Sequence, residues 1–185
     1  MNYDSIIWIF KVASNLKLFI ILNMLLLNKL YETNEHNEKE YVKLYLNNLK
    51  NINNLNLVDV SAYKILGKFA FNNDSGLKII RLMITSKNLW YKRIAIISIL
   101  YFIKNKSLLV PLEIILKSLT DSHHLIQNVA GWMLREIGKI SKVVLLEFIC
   151  ENYSIIFGIT LSYATEYLSG YEKEKLIDTC YKHKM

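Results

Sequence analysis

Glycine and proline are scarce: six glycines and one proline, Pro111, in 185 residues. Sandwiches and barrels need many turns with φ > 0, so an all-β fold is nearly excluded. Arginine is also scarce, with Arg81, Arg93 and Arg135 standing in a chain that otherwise uses lysine. Cys150 and Cys180 are isolated, with no CxxC or Cys/His ligand spacing. Neither a disulfide framework nor a structural zinc site is therefore expected. The chain has no GxxxxGKS/T loop, GxGxxG turn, HExxH helix or GxSxG elbow. These absences remove support for phosphate-loop, dinucleotide, zinc-hydrolase and serine-hydrolase chemistry, and no cofactor or metal is expected. His123 and His124 are adjacent and so point to different helix faces. The most apolar run, residues 18–27, is interrupted by Asn23 and bracketed by Lys17 and Lys29. It is too short to span a bilayer and reads as a buried helix, so no membrane partner is expected. The opening MNYDSIIWIF has neither a basic n-region nor a small-residue cleavage site, which gives the expectation of a cytoplasmic protein.

Hydrophobic residues make up 52% of the chain and charged residues 21%, a composition that folds. The length suits one domain or a short repeat array, read here as a single domain over residues 1–185. A net charge of +7 permits a nucleic-acid partner without proving one. Breaks fall near residues 14–15, 33–37, 51–56, 72–76, 86–88, 104–107, 121–122, 140–141, 152–154 and 169–170. Each holds Ser, Asn, Asp or Gly, whose short side chains cap helices or turn the backbone. The intervals are about one helix long, so nearly the whole chain reads as helix.

Ala62, Ala95, Ala130 and Ala164 follow one another at 33, 35 and 34 residues, and four residues after each comes Leu66, Ile99, Leu134 or Leu168. A small-then-large i, i+4 pair lies on one helix face, where the small residue admits a partner helix and the large one fills the core. Recurrence at one helix-hairpin length predicts stacked helix pairs. The Trp-Leu-Gly-Tyr pattern and terminal proline of tetratricopeptide repeats are absent, which favours HEAT-like pairs. The expected fold is all-α: a right-handed superhelical solenoid of about five pairs.

The second helix of each pair should line one side of that solenoid. It carries Asp59, Arg93, Trp132 and Ser162, residues far apart in sequence. Asp59 sits near a helix start among apolar neighbours and reads either as a first-turn carboxylate favoured by the helix dipole or as a functional acid. Trp132 reads as core packing or as a cleft indole. Arg93 reads as a solvated helix cation or as a phosphate ligand, since arginine offers a rigid fork that lysine lacks.

Three blocks resemble a known family: Leu57-Val58-Asp59-Val60-Ser61-Ala62-Tyr63-Lys64-Ile65-Leu66-Gly67, Asn88-Leu89-Trp90-Tyr91-Lys92-Arg93-Ile94-Ala95-Ile96, and Leu125-Ile126-Gln127-Asn128-Val129-Ala130-Gly131-Trp132-Met133-Leu134-Arg135-Glu136. Together, over roughly residues 40–170, they look like the DNA alkylation repair (AlkD-like) glycosylases. The resemblance implies a HEAT-like solenoid that removes N3- and N7-alkylated purines from duplex DNA as a monomer, without metal. It implies Asp59 as the catalytic carboxylate and Trp132 and Trp90 as cleft aromatics. Arg93 and Arg135 would then be phosphate contacts. Such members do not need to flip the base into a pocket.

The chain departs from the pattern at three places. Leu55-Asn56 stands where the family often has Trp-Asp, Gly158 and Ser162 stand where it often has arginines, and Ser14-Asn15-Leu16-Lys17 replaces an N-terminal basic and acidic motif. These departures keep a second reading open, a HEAT-like DNA-binding or protein-interaction module with weakened catalysis.

Overall fold

The computed structural model describes Lys29, Tyr31 and residues 38–182. The breaks expected at 14–15 and 33–37, the apolar run 18–27 and the divergent Ser14-Asn15-Leu16-Lys17 lie outside the described residues. Among the described residues every regular element is helical. Helix α1 (Glu38–Asn47) leads through a 3-10 turn, Leu49–Asn51, to α2 (Leu55–Ser61). A π-helical segment, Tyr63–Gly67, joins α2 to α3 (Lys68–Asn72). Then follow α4 (Asp74–Ile84), α5 (Leu89–Ser98), α6 (Leu100–Lys104), α7 (Leu109–Ser118) and α8 (His124–Ile140). The last three are α9 (Lys142–Asn152), α10 (Gly158–Ala164) and α11 (Gly170–Lys182).

The polar breaks act as caps. Asn54 Oδ1 accepts from Leu57 N at 3.0 Å, and Asn88 Oδ1 accepts from Trp90 N at 2.8 Å, each satisfying an orphan donor at a helix start. Ser141 Oγ does the same for α9. His123 starts α8 with its ring nitrogen, Nδ1 accepting from Leu125 N at 3.2 Å.

Helices α2, α5, α8 and α10 are successive packed neighbours. On their other side α4 packs on α7, and α9 on α11. Ala62, Ala95, Ala130 and Ala164 are all fully buried, and so are their partners Leu66, Ile99 and Leu134, with Leu168 nearly so. The small-then-large pairs therefore sit where one helix meets the next. Helices α8 and α10 approach each other closely. A Cβ added at Gly131 would stand 2.6 Å from the carbonyl oxygen of Thr160, so only glycine fits between these backbones. Buried hydroxyls stitch the same contact: Thr160 Oγ1 donates to the carbonyl of Gln127 at 3.1 Å.

The expectation that the two cysteines stay separate is corrected. Cys150 of α9 and Cys180 of α11 form a disulfide, 30 residues apart. Two cysteines one helix hairpin apart meet across the packed pair, which no motif announces. Among the described residues no helix is long and apolar enough to cross a membrane.

Candidate active site

Asn54 already caps α2, so Asp59, five residues on, is not needed for that role. Its carboxylate is instead held by Arg93 of α5. Arg93 Nη2 lies 2.9 Å from Asp59 Oδ2 and 3.0 Å from Oδ1, and Nε lies 3.2 Å from Oδ1. The remaining nitrogen, Nη1, donates to the backbone carbonyl of Leu125 in α8 at 2.9 Å. One guanidinium thus ties α2, α5 and α8 together. The Arg93 side chain is 7% exposed and that of Asp59 29%. The fork is covered while part of the carboxylate faces solvent. A bidentate charge-assisted pair of this kind fixes orientation as well as position.

Arg93 was expected to face phosphate. The structure places its guanidinium inward, on Asp59 and Leu125. Beside it Lys92 reaches Asp121, in the turn before α8, at 2.5 Å. Burial raises the pKa of the Asp121 carboxyl, but hydrogen bonds from Lys92 and the His123 N–H, with their charges, hold it below the ordinary range overall.

Trp90 is half-buried one turn before Arg93 on α5. Trp132 is half-buried on α8, two turns beyond Leu125. Its indole Nε1 donates to Glu136 Oε1 at 3.1 Å, which fixes the ring. Glu136 also receives Lys139 at 2.7 Å, and Arg135 Nε stands 3.8 Å away. Arg135 further pairs with Glu166, just past α10. Asp59 and Arg93 are therefore in direct contact, whereas Trp132 and Arg135 form a second cluster along α8.

Glu166 and the Leu125 carbonyl are site neighbours that sequence reasoning missed. Glu136 was legible as the i+4 partner of Trp132 on one helix face. A carbonyl acceptor leaves no mark in a sequence. Leu55, one turn before Asp59 on α2, is 39% exposed, so an aliphatic side chain shares the helix face of Asp59. Gly158 and Ser162 are exposed on α10. The cleft of about 660 Å³ between α9 and α11, lined by Leu146, Cys150 and Leu176 among others, includes neither Asp59 nor Trp132. Among the described residues no cluster of His, Cys, Asp and Glu could hold a metal ion.

Packed helices carrying a half-exposed acid held by a buried fork, with indoles on the neighbouring helices, define an all-helical protein with an ordered acidic site. The family model for DNA alkylation repair enzymes matches residues 19–168, and the chain belongs to that family. No curated protein and no solved structure gives a significant match to it. Its role lies in the repair of alkylated DNA, with DNA as the substrate.

Proposed function

We propose that the protein is a DNA glycosylase that hydrolyses the N-glycosidic bond of N3- and N7-alkylated purines in duplex DNA. It acts as a monomer in the cytoplasm, with no metal or other cofactor. We propose further that its helix rows form a right-handed solenoid of HEAT-like pairs, with the DNA duplex lying against the row α2, α5, α8 and α10. The observation that carries this reading is the Asp59 carboxylate, held by Arg93 on a family member's surface and still part-exposed.

An alkylated purine of this kind carries positive charge, so it leaves with the bonding electron pair as a neutral base. Positive charge grows on the deoxyribose as the bond opens. A carboxylate already aimed at the sugar stabilises that charge with no reorganisation at the moment of reaction. Water then adds to the anomeric carbon and loses its proton through Asp59 to solvent, which completes the hydrolysis. Arg93 is a positioning residue that holds Asp59. The fixed indole of Trp132, with Trp90, offers cation–π attraction to the charged base. Arg135 stands near enough to the same row to meet phosphate, exchanging Glu166 for the DNA backbone.

Base release from duplex DNA containing 7-methylguanine tests the reading. Wild type should release base, and Asp59→Asn should abolish release while duplex affinity stays similar or rises slightly. Asparagine keeps the shape and part of the hydrogen bonding, and circular dichroism verifies that the variant is folded. Equal, measurable rates for the two proteins would rule out Asp59 as the catalytic group. No release by either would favour the second reading, a weakened DNA-binding module, which exposed Leu55, Gly158 and Ser162 support.

A further inference from the structure

The Arg93 guanidinium is committed to Asp59 and Leu125, so the phosphates flanking a deoxyribose at Asp59 need other cations. The partly exposed side of the chain from α2 to α3 runs through Asp59, Val60, Tyr63, Lys64 and Lys68. Gly67 N bonds to Ala62 O at 2.9 Å, the i→i+5 bond of a π turn. Gly67 itself lies so close to α5 that an added Cβ would sit 2.3 Å from Ser98 O. The turn is therefore pressed onto the core, and its polar side is displayed. Tyr63, Lys64, Lys68 and Tyr101 line a cleft of about 420 Å³.

Lys104, at the end of α6, places Nζ 4.7 Å from the centre of the Tyr63 ring, and Lys68 places Nζ 5.0 Å from that of Tyr31. Each ring holds an ammonium by cation–π attraction, which lowers the entropy lost when the lysine meets an anion. Among the described residues the carboxylate of Glu38 stands at the rim, 3.8 Å from Lys68. Lysines on two neighbouring elements around one cleft suit an anion with several oxygens. Lys64 and Lys68 lie five and nine residues beyond Asp59, about 8 and 14 Å along the helix at ~1.5 Å per residue. That distance covers a few nucleotide steps at ~3.4 Å each.

We propose that this cleft is a phosphodiester cradle, in which Lys64, Lys68 and Lys104 bind the DNA backbone a few nucleotides from the sugar held at Asp59. The proposal rests on the duplex-DNA reading above. Lysine is a hydrated point charge that neutralises phosphate without reading a base, so the cradle fixes register and carries no sequence preference.

The test is the salt dependence of binding to an unmodified DNA duplex for wild type, Lys64→Gln, Lys104→Gln and the double variant. Lys173→Gln with Lys175→Gln on α11 serves as the control. Each lost phosphate contact should reduce the slope of log affinity against log salt by about 0.9. The affinity ratio between 50 and 200 mM salt should then shrink about 3.5-fold per lysine. The double variant should lose about twice the slope, and the control should match wild type.

Wild-type slope in the double variant, with wild type itself binding salt-dependently, would overturn the cradle and leave the glycosylase reading standing. A slope lost equally in the control would also overturn it, since net charge alone would then account for binding. No salt-dependent duplex binding by wild type would overturn both.

Discussion

Arg93 is the most constrained ionised side chain of the site, and its contacts change what its replacement should do. Lysine keeps the charge but reaches one acceptor at a time, so Asp59 would be left to rotate. Arg93→Lys should lower base release at saturating duplex about 10- to 100-fold, the usual cost of a misplaced reacting group. Duplex affinity should change little. Single-turnover kinetics beside a binding titration separate the two, and lost affinity with an intact rate would make Arg93 a phosphate ligand instead. At this scale the sequence offered Asp59, Arg93 and Trp132 as candidates through the family resemblance. Asp59 and Arg93, 34 residues apart, meet across adjacent helices. The sequence did not show that the fork turns inward. That direction depends on an acceptor, the Leu125 carbonyl, which every residue type supplies.

Helix boundaries were legible wherever a short polar side chain caps a start, as at Asn54, Asn88 and Ser141. The π turn at Tyr63–Gly67 was not, and it coincides with a tertiary contact, the close packing of Gly67 on Ser98. Between α4 and α7, Arg81 forks onto Glu113, with Nη2 to Oε2 at 2.7 Å, and Lys117 adds a bond at 2.8 Å. Hydrogen bonds from Arg81 and then Lys117 hold the Glu113 carboxyl down at about 2, from an ordinary 4.5. A depressed carboxyl stabilises the fold fully above its ordinary value, and that share fades as pH falls from about 4.5 to about 2. Arg81 is exposed and Glu113 only half-buried, so the contribution is at most about 1 kcal/mol at low salt. Glu113→Gln should therefore lower the urea midpoint at pH 7 and have almost no effect near pH 2. An equal deficit at both pH values would show that packing, not charge, links the two helices.

The cross-helix ion pairs share one sequence interval. Arg81–Glu113, Lys92–Asp121, Arg93–Asp59, Arg135–Glu166 and Lys142–Glu172 span 32, 29, 34, 31 and 30 residues. The disulfide spans 30. Bonds of this reach join segments about one helix hairpin apart in sequence, the interval that the proposed repeat order requires. The alanine period therefore foretold the scale of the tertiary contacts as well as the helices. It could not foretell the cysteine bridge, since the same interval holds many residue pairs and sulfur chemistry selects one. Closing a loop of that length should contribute about 3–4 kcal/mol in the chain-entropy model. Cys150→Ser, or reductant added to wild type, should lower the denaturation midpoint by a matching amount. An unchanged midpoint under reductant, with loss of the bridge verified by mass, would mean that packing alone holds α11 in place.

A carboxylate suspended from three successive helices has no independent aim. The Arg93 fork bridges α2, α5 and α8, so the packing of that row sets where Asp59 points. In the proposed mechanism, curvature then becomes a control on chemistry. A duplex that bent the row on docking would swing the acid toward or away from its sugar without any rotamer change. A substitution two helices distant, at a contact such as Gly131 against Thr160, retunes the same angle through the scaffold.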